Sequence, residues 1–300
     1  LTEYFKNFNI PTVVKENGRI YPVSLQANAV TDILRFYLQN KNVQIKFNTP
    51  IKDISRNNGV FTVISDSGEK FFAENVVLAF GGKSAKQFGT DGTAYVLAQK
   101  FGHSVTELFP SLVQLKADKL AIKGLNGVKT HAKLSAFDGD KLLKTATGDL
   151  LFTEYGISGN AVFQVSDKIV SATCPYIFAD FLPDLAETEI ADILKSRKDC
   201  GYIPKEEIFT GIVNKKIGLS VIKSSNTATE EELAHNIKNF RINITGNLGF
   251  NYAQVTKGGI KTEDVCENSY ESKLQKGLFI VGEALNVDGE CGGYNLTFAF

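Results

Sequence analysis

The stretch GLFIVGEALNVDGECGGYNLTFAF, Gly277 to Phe300, gathers glycines and acids where a strand meets a helix. An apolar run, Leu278 to Val281, stops at Gly282-Glu283. Asp288-Gly289 and Gly292-Gly293 follow, and a helix is expected to open at Asn295. Each part suits a polar ligand. Glycine lets a ligand come close to the backbone. An acid at a strand's end can hold sugar hydroxyls, as in dinucleotide-binding folds. N–H groups before a helix aim at anionic or polar atoms. The same pattern also describes an ordinary Gly-rich turn, and spacing alone leaves the two readings even.

Other chemistry-bearing residues are sparse. Of the three histidines, His103 follows the helix-ending Gly102, which favours a capping or surface role. His131 lies in a β-like run and His235 on a helix face, both structural or solvated. Cys174, Cys200, Cys266 and Cys291 form no C-x-x-C pair and have no nearby His, so neither zinc nor a redox couple is expected. Cys291 reads as a small packed residue. Tyr155 and Tyr294 are of a type that reaches substrates and equally a type that packs cores.

The elements that position these residues are legible in part. Leu1 to Phe8 reads as the end of a helix. Val30, Ile33, Leu34, Tyr37 and Leu38 fall on one face of a helix over Gln26–Asn40. VQIKF (Val43 to Phe47) alternates like a strand. The run from Ile51 to Gly82 predicts three strands, the last, Val76 to Phe80, buried on both faces. Thr93 to Phe101 reads as a helix. From Pro110 to about Asp180 the pattern is β: VQLKA, HAKLSAF, LLFTE, AVFQVS and YIFADF. Helices are expected over Asp184–Lys198, Lys205–Lys223 and Glu230–Asn239, the third with a capping box of Thr229 and Glu232. FRINITG (Phe240 to Gly246) and KGLFIVGE (Lys276 to Glu283) return to strand.

The 300 residues carry 33 Lys+Arg and 33 Asp+Glu, a balance that argues against nonspecific nucleic-acid or anionic-membrane binding. No apolar run approaches the roughly 20 residues of a membrane helix, and no signal peptide is evident. A cytoplasmic, thiol-reduced protein is expected. The chain begins inside an apparent helix and ends just after another opens, as a piece of a longer protein would.

In order along the chain, these segments resemble a family. VGEALNVDGECGGYNLTFAF is similar to the C-terminal FAD signature of bacterial flavoproteins that include aminoacetone oxidase and 3-dehydro-bile-acid reductases. GRIYPVS, NTPIKDI, VVLAFGGKS, FGTDGTAYVLAQKFGHSV, LLFTEYGISGNAVFQVS, VTKGGI and YESKLQKGLFIVGE resemble further family segments, across nearly the whole chain. The resemblance implies an α/β fold: a discontinuous FAD/NAD(P)-binding, Rossmann-like domain of glutathione-reductase type with a β-rich insert carrying a small helical subdomain. The FAD domain would take residues 1–109 and 254–300. The insert would take 110–253, β-rich over 110–183 and 240–253 and helical over 184–239.

The resemblance also implies roles. Ile51 would pair its backbone with the adenine edge. Gly81 and Gly82 would flank the phosphate–ribose region. Gly282 and Glu283 would contact the pyrophosphate or ribityl chain, with Asp288 and Gly289 nearby. Asn295 and Leu296, at the helix start, would face the pyrimidine end of the flavin. Thr256, Gly258 and Gly259 would lie near the flavin or substrate pocket, which Tyr155 and Tyr294 are candidates to reach by residue type alone. No metal is implied, and no residue is singled out as the catalytic acid or base. The family usually has His at Glu154, Pro at Asn160 and Thr at Phe80, departures that put substrate and activity in question. Its G-x-G-x-x-G turn is expected upstream of Leu1; without it FAD would bind weakly.

The implied activity is hydride transfer between FAD and a small organic substrate, an amine, ketone or enone, with NAD(P)H as a further expected donor. A non-catalytic flavoprotein fragment acting as a binding module is the rival. A tRNA-modifying flavoprotein of the same fold is the third reading.

Overall fold

The structure, a computed structural model, describes residues 1–15, 18–225 and 229–300. The chain opens with α1 (Thr2–Lys6), β1 (Thr12–Val14), β2 (Ile20–Pro22) and α2 (Ala27–Asn40). Next come β3 (Ile51–Asn57), β4 (Val60–Ser65), β5 (Lys70–Ala73), β6 (Val76–Leu78) and α3 (Tyr95–Gln99). Then follow β7 (Phe109–Ser111), β8 (Leu115–Ala117), β9 (Lys129–Asp138), β10 (Lys141–Phe152), β11 (Gly156–Ser158), α4 (Asn160–Ile169) and β12 (Pro175–Asp180). The helices α5 (Glu187–Asp199), α6 (Lys215–Ser224) and α7 (Glu230–Lys238) precede β13 (Phe240–Asn247), β14 (Val255–Lys257), β15 (Leu278–Ile280) and α8 (Gly292–Ala299).

Six strands close into a barrel in the order β10-β11-β8-β13-β12-β9. Alternation builds it. Ala132, Leu134 and Ala136 of β9, Leu150 and Phe152 of β10, Ile177 and Ala179 of β12, and Ile242 of β13 are all buried. The turn Gly139-Asp140, with Gly139 at φ 55°, joins the long β9–β10 hairpin. Helix α4 covers part of this core with Ala161, Val162, Val165 and Ile169. The capping box of Thr229 and Glu232 starts α7 as expected.

Outside the barrel, β6 and β15 lie parallel, Leu278 opposite Val76 and Ile280 opposite Leu78. Strands β3, β4 and β5 form an antiparallel sheet. Ile54, Phe61, Leu78, Leu97, Leu278 and Ile280 make a second core. The two crossings into the barrel, β7 and β14, run side by side as an antiparallel ladder. The architecture is thus mixed α/β, Rossmann-type, with a barrel between its two pieces.

Several expectations fail for physical reasons. VQIKF is not a strand: Val43, Ile45 and Phe47 are 48%, 40% and 75% exposed, and no strand lies alongside them among the described residues. AVFQVS is helical, within α4; its apolar residues sit at i, i+1, i+4 and i+8, a spacing the short window hid. The single helix expected over Lys205–Lys223 breaks at Gly211, φ 80°, into a short 3-10 turn and α6. The third strand expected before Gly81 divides at Glu74-Asn75, β5 joining the antiparallel sheet and β6 the parallel pair. Nor is Val76–Phe80 buried on both faces: Val77 is 59% exposed, so one face of β6 is left uncovered by the described residues. The amphipathic face of α2 exists, yet the helix buries none of its residues.

Candidate functional site

The C-terminal ends of β6 and β15 point the same way and lead into Gly81-Gly82 and Gly282-Glu283. Gly81 and Gly282 sit at φ 75° and 66°, left-handed conformations that suit glycine. Thr256, buried in β14, ties the two turns together. Its hydroxyl oxygen accepts from the Lys83 N–H at 2.7 Å and the Ser84 N–H at 2.9 Å, and donates to Ser84 Oγ at 3.0 Å. Its own N–H donates to Glu283 Oε1 at 2.7 Å. Gly82 has no room for a side chain: a Cβ there would overlap Thr256 Oγ1 and stand 2.7 Å from Glu283 Oε1. The Thr90 hydroxyl donates to the Gly82 carbonyl.

Burial pushes the Glu283 carboxyl above its ordinary range, against the pull of its Thr256 hydrogen bonds. Tyr95, on α3, packs edge-on against Phe80 with ring centroids 5.0 Å apart. Burial, with the nearby Glu283 charge, pushes its phenol up to about 12. The Tyr95 hydroxyl is buried and has no hydrogen-bond partner among the described residues.

Gly258 and Gly259 thread a narrow gap. A Cβ on Gly258 would overlap the Glu107 carbonyl oxygen, and one on Gly259 would stand 2.8 Å from the Ala284 carbonyl oxygen. Thr106 closes this gap by exchanging hydrogen bonds with Gly259.

The C-terminal loop is held by Asn295. Its Oδ1 accepts from the Gly289 N–H at 2.9 Å, and its Nδ2 donates to the Gly289 and Cys291 carbonyls at 3.1 and 2.9 Å. Tyr294 packs so close to Gly289 that a Cβ on the glycine would be 2.8 Å from the tyrosine Cβ. The helix therefore starts at Gly292, not Asn295, and the Asn295 N–H already points at the Cys291 carbonyl, 3.4 Å away. The N–H groups left without acceptors among the described residues belong to Gly292 and Gly293. Leu296 and Tyr294 are 61% and 66% exposed.

Asp288 is half-buried, and burial raises its carboxyl while the Lys257 ammonium opposes that rise. Lys257 follows Thr256, and burial lowers its ammonium, helped by Lys168. Its Nζ donates to the Asp167 carbonyl at 2.6 Å, near the C-terminal end of α4. Lys144 of the barrel bridges Asp167 at 3.5 Å and Glu290 at 2.9 Å. The barrel thus fastens the loop that carries Asp288.

Of the expected site residues, Gly81, Gly82, Thr256, Gly258, Gly259, Gly282 and Glu283 come together. Asp288, Gly289, Tyr294, Asn295 and Leu296 form an adjoining loop and helix. Ile51 stands apart at the start of β3, paired with Ser65 and without a hydrogen bond to the cluster. Tyr155 lies in the β10–β11 turn, its carbonyl accepting from Ala117. Ser84, Tyr95, Lys144 and Asp167 escaped sequence reading. Ser84 could have been found from its place just after the paired glycines; the others carry no local signal.

The three departures from family pattern have different settings. Asn160 Oδ1 accepts from the Asp149 N–H at 2.6 Å and tethers β10; Glu154 is exposed; Phe80 packs on Tyr95. His103 is neither cap nor surface. It is 3% exposed, with Nε2 2.8 Å from Ser272 Oγ, and burial lowers its imidazole against the influence of Asp264.

Paired parallel strand ends, tight glycines and an acid at the second strand's end define a Rossmann-type nucleotide-binding protein with an inserted β-barrel. The chain belongs to the HI0933-like family: the family described as HI0933-like protein Rossmann domain matches residues 1–300. It is 35% identical over 314 residues to the 3-dehydro-bile acid delta(4,6)-reductase of Clostridium scindens, covering 99% of this chain and 76% of the relative. It is 26% identical to the ribosomal RNA dihydrouridine synthase of Escherichia coli, covering 91% of this chain and 70% of the relative. It is also 26% identical to the protein of that name in Haemophilus influenzae, covering 95% and 73%. Relatives named for ribosomal RNA leave the expected exclusion of nucleic acid without support, since net charge does not report local patches. No helix among the described residues is long and apolar enough to cross a membrane.

Proposed function

We propose that the protein is a cytoplasmic FAD-dependent oxidoreductase that passes a hydride between a bound flavin and a small organic substrate. The observation that carries this reading is the junction of Gly82, Thr256 and Glu283 at two parallel strand ends, in a chain 35% identical to a reductase. Ligands of open α/β folds bind at such ends. The residues fit a dinucleotide flavin. Among the described residues a buried tyrosine hydroxyl lacks a partner and two helix-start N–H groups lack acceptors, and exposed Leu296 and Val77 offer apolar surface.

Ile51, Gly81, Gly82, Gly282, Glu283, Asp288 and Gly289 would hold the cofactor. The Gly292 and Gly293 N–H groups take the anion-facing role expected of Asn295 and Leu296, while Asn295 fixes the loop. Thr256, Gly258, Gly259, Tyr155 and Tyr294 would border the substrate. When bound, FAD supplies reversible hydride exchange, and a nicotinamide cofactor is the proposed donor. Residues 1–109 and 254–300 would form the FAD domain and 110–253 the insert that roofs it.

Among amines, ketones and enones we rank enones first. The names of all three relatives describe saturation of a C=C bond conjugated with a carbonyl. A second reading puts that bond in a uracil ring of ribosomal RNA, on the strength of the two relatives so named.

The absorbance spectrum of the purified full-length protein tests the proposal. Flavin bands near one per protein are expected, bleached anaerobically by NADH or NADPH and restored by an enone. A colourless full-length protein that cannot be loaded with FAD would sink it. Restoration by uridine in ribosomal RNA, and not by free enones, would select the second reading.

A further inference from the structure

At the opposite end of the barrel from Thr256 lies a cleft of about 740 Å³. It is built from the β8–β9 loop, α6, α7 and the start of β13. Strand β13 runs from Arg241 at the cleft to Asn247 beside Leu115, at the barrel end that leads to β14. That stretch alone spans roughly 20 Å at the usual strand rise. The cleft therefore does not belong to the nucleotide-binding junction.

Its lining carries one sign of charge. Lys123 comes from the loop, Lys216 and Lys223 from α6, and Arg241 from β13; among the described residues no Asp or Glu lines it. Lys216 and Lys223 are seven residues apart and so share one helix face. Nearby lysines outside the cleft are neutralised: Lys215 pairs with Glu207 at 2.5 Å, Lys198 with Glu230 at 2.7 Å and Lys195 with Glu231 at 2.5 Å. The three cleft lysines form no ion pair among the described residues. The Arg241 guanidinium is held in place, stacked 3.9 Å from the Tyr176 ring with Nε donating to Asn243. Its guanidinium is thereby turned along β13 towards Asn243, so Arg241 adds charge beside the cleft and the three lysines supply its free donors.

Concentrated like charge without partners destabilises a fold, and a bound anion relieves it. The Ser220 hydroxyl and the Asn236 amide, whose Nδ2 donates to Ser225 Oγ at 2.7 Å, bring neutral polar groups to the same lining. Leu120, 79% exposed, and Leu219 add apolar surface at the same cleft. The volume lies within the roughly 300–1,000 Å³ of small-ligand sites.

We propose that this cleft is a second ligand site, taking a phosphate-bearing anion of about nucleotide size, either free or as one unit of an RNA strand. The inference is independent of the flavin reading. Phosphate supplies the counter-charge that Lys123, Lys216 and Lys223 lack, and its sugar or base would cover Leu120 and Leu219.

Isothermal titration of the full-length protein with inorganic pyrophosphate, with ribose 5-phosphate and with a single-stranded RNA tests it. The Lys123→Ala, Lys216→Ala, Lys223→Ala variant removes three exposed cations from the cleft. A Lys52→Ala, Lys70→Ala, Lys141→Ala variant removes the same charge from exposed sites elsewhere. At least about tenfold weaker binding is expected in the first variant and little change in the second, since each charge-assisted hydrogen bond lost counts for that much. Binding of the small phosphates identifies a free ligand. Binding of RNA alone, with the same variant pattern, identifies a strand-borne one, and both support the proposal. No binding of any probe, or a cleft variant that binds as tightly as the parent or is weakened no more than the control variant, would overturn it.

Discussion

Strand β13 in the barrel and strand β6 in the nucleotide-binding part both alternate in burial, yet they expose different residues: Arg241 and Asn243 on β13, Val77 on β6. In β13, Phe240, Ile242 and Ile244 are buried at alternate positions, because β8 and β12 flank the strand and the barrel closes behind them. In β6, Leu78 is buried while Val77 stands 59% exposed. A closed barrel has no edge and encloses its own apolar face. The nucleotide-binding part instead leaves unmet groups at its strand ends: the Tyr95 hydroxyl, the Gly292 and Gly293 N–H groups, and the side chain of Leu296. Stability and binding capacity are concentrated in different regions, and substitutions should separate them.

The largest effect is expected in the barrel. Phe152 is fully buried. Phe152→Ala should lower unfolding stability by about 3–5 kcal/mol in denaturant titration, through lost burial and the cavity left behind. Flavin content of the molecules that remain folded should stay near the parent value. A cost below about 1 kcal/mol would show that the barrel core repacks freely and that the contrast with β6 is weaker than the burial implies.

Gly82→Ala probes the other region. The added methyl meets Thr256 and Glu283 with no space to enter, a strain of about 1–3 kcal/mol. Flavin retention should be lost while the far-ultraviolet spectrum of the barrel is kept. Thr256→Val is gentler in shape and removes the acceptor for the Lys83 and Ser84 N–H groups. About 1–3 kcal/mol of local stability should go with it, read by faster amide hydrogen exchange at those two residues. Thr256→Ser should restore slow exchange; failure to do so would mean that the Thr256 methyl, not its oxygen, holds the turns.

The same contrast explains what could be read without coordinates. Barrel strands β9, β12 and β13 were legible because each buries one face and alternates. The glycine pairs and Glu283 were legible because backbone proximity and a strand-end acid leave local signatures. Tyr95, Lys144 and Asp167 reach the site across distances the chain does not record. Helix α4 was misread because its first residues, AVFQVS, span fewer than two turns and read equally well as a strand. Asn295 was expected to present its N–H group, and instead its side chain clasps Gly289 and Cys291, a loop geometry no spacing rule contains.

The smallest effect concerns the carboxyls at the junction, and its sign separates the regions again. Burial raises the Glu283 carboxyl above its ordinary value of 4.5, so the folded state holds the proton more tightly than the unfolded one. That contribution to stability is fully present below the unfolded value and is lost as pH rises through the folded value. Asp288 acts in the same direction from 3.8. The nucleotide-binding part should therefore lose stability as pH rises from about 4.5 towards neutrality. Glu283→Gln removes the titration while its amide oxygen can still accept the Thr256 N–H. Its melting temperature should vary less with pH over that window than the parent's, and adding Asp288→Asn should flatten it further. Stability of the barrel, followed by hydrogen exchange in β9 and β10, should show the same pH dependence in parent and variants. Identical melting curves for parent and Glu283→Gln across the window would show that water reaches this carboxyl, and that the junction is more open than the Thr256 contacts imply.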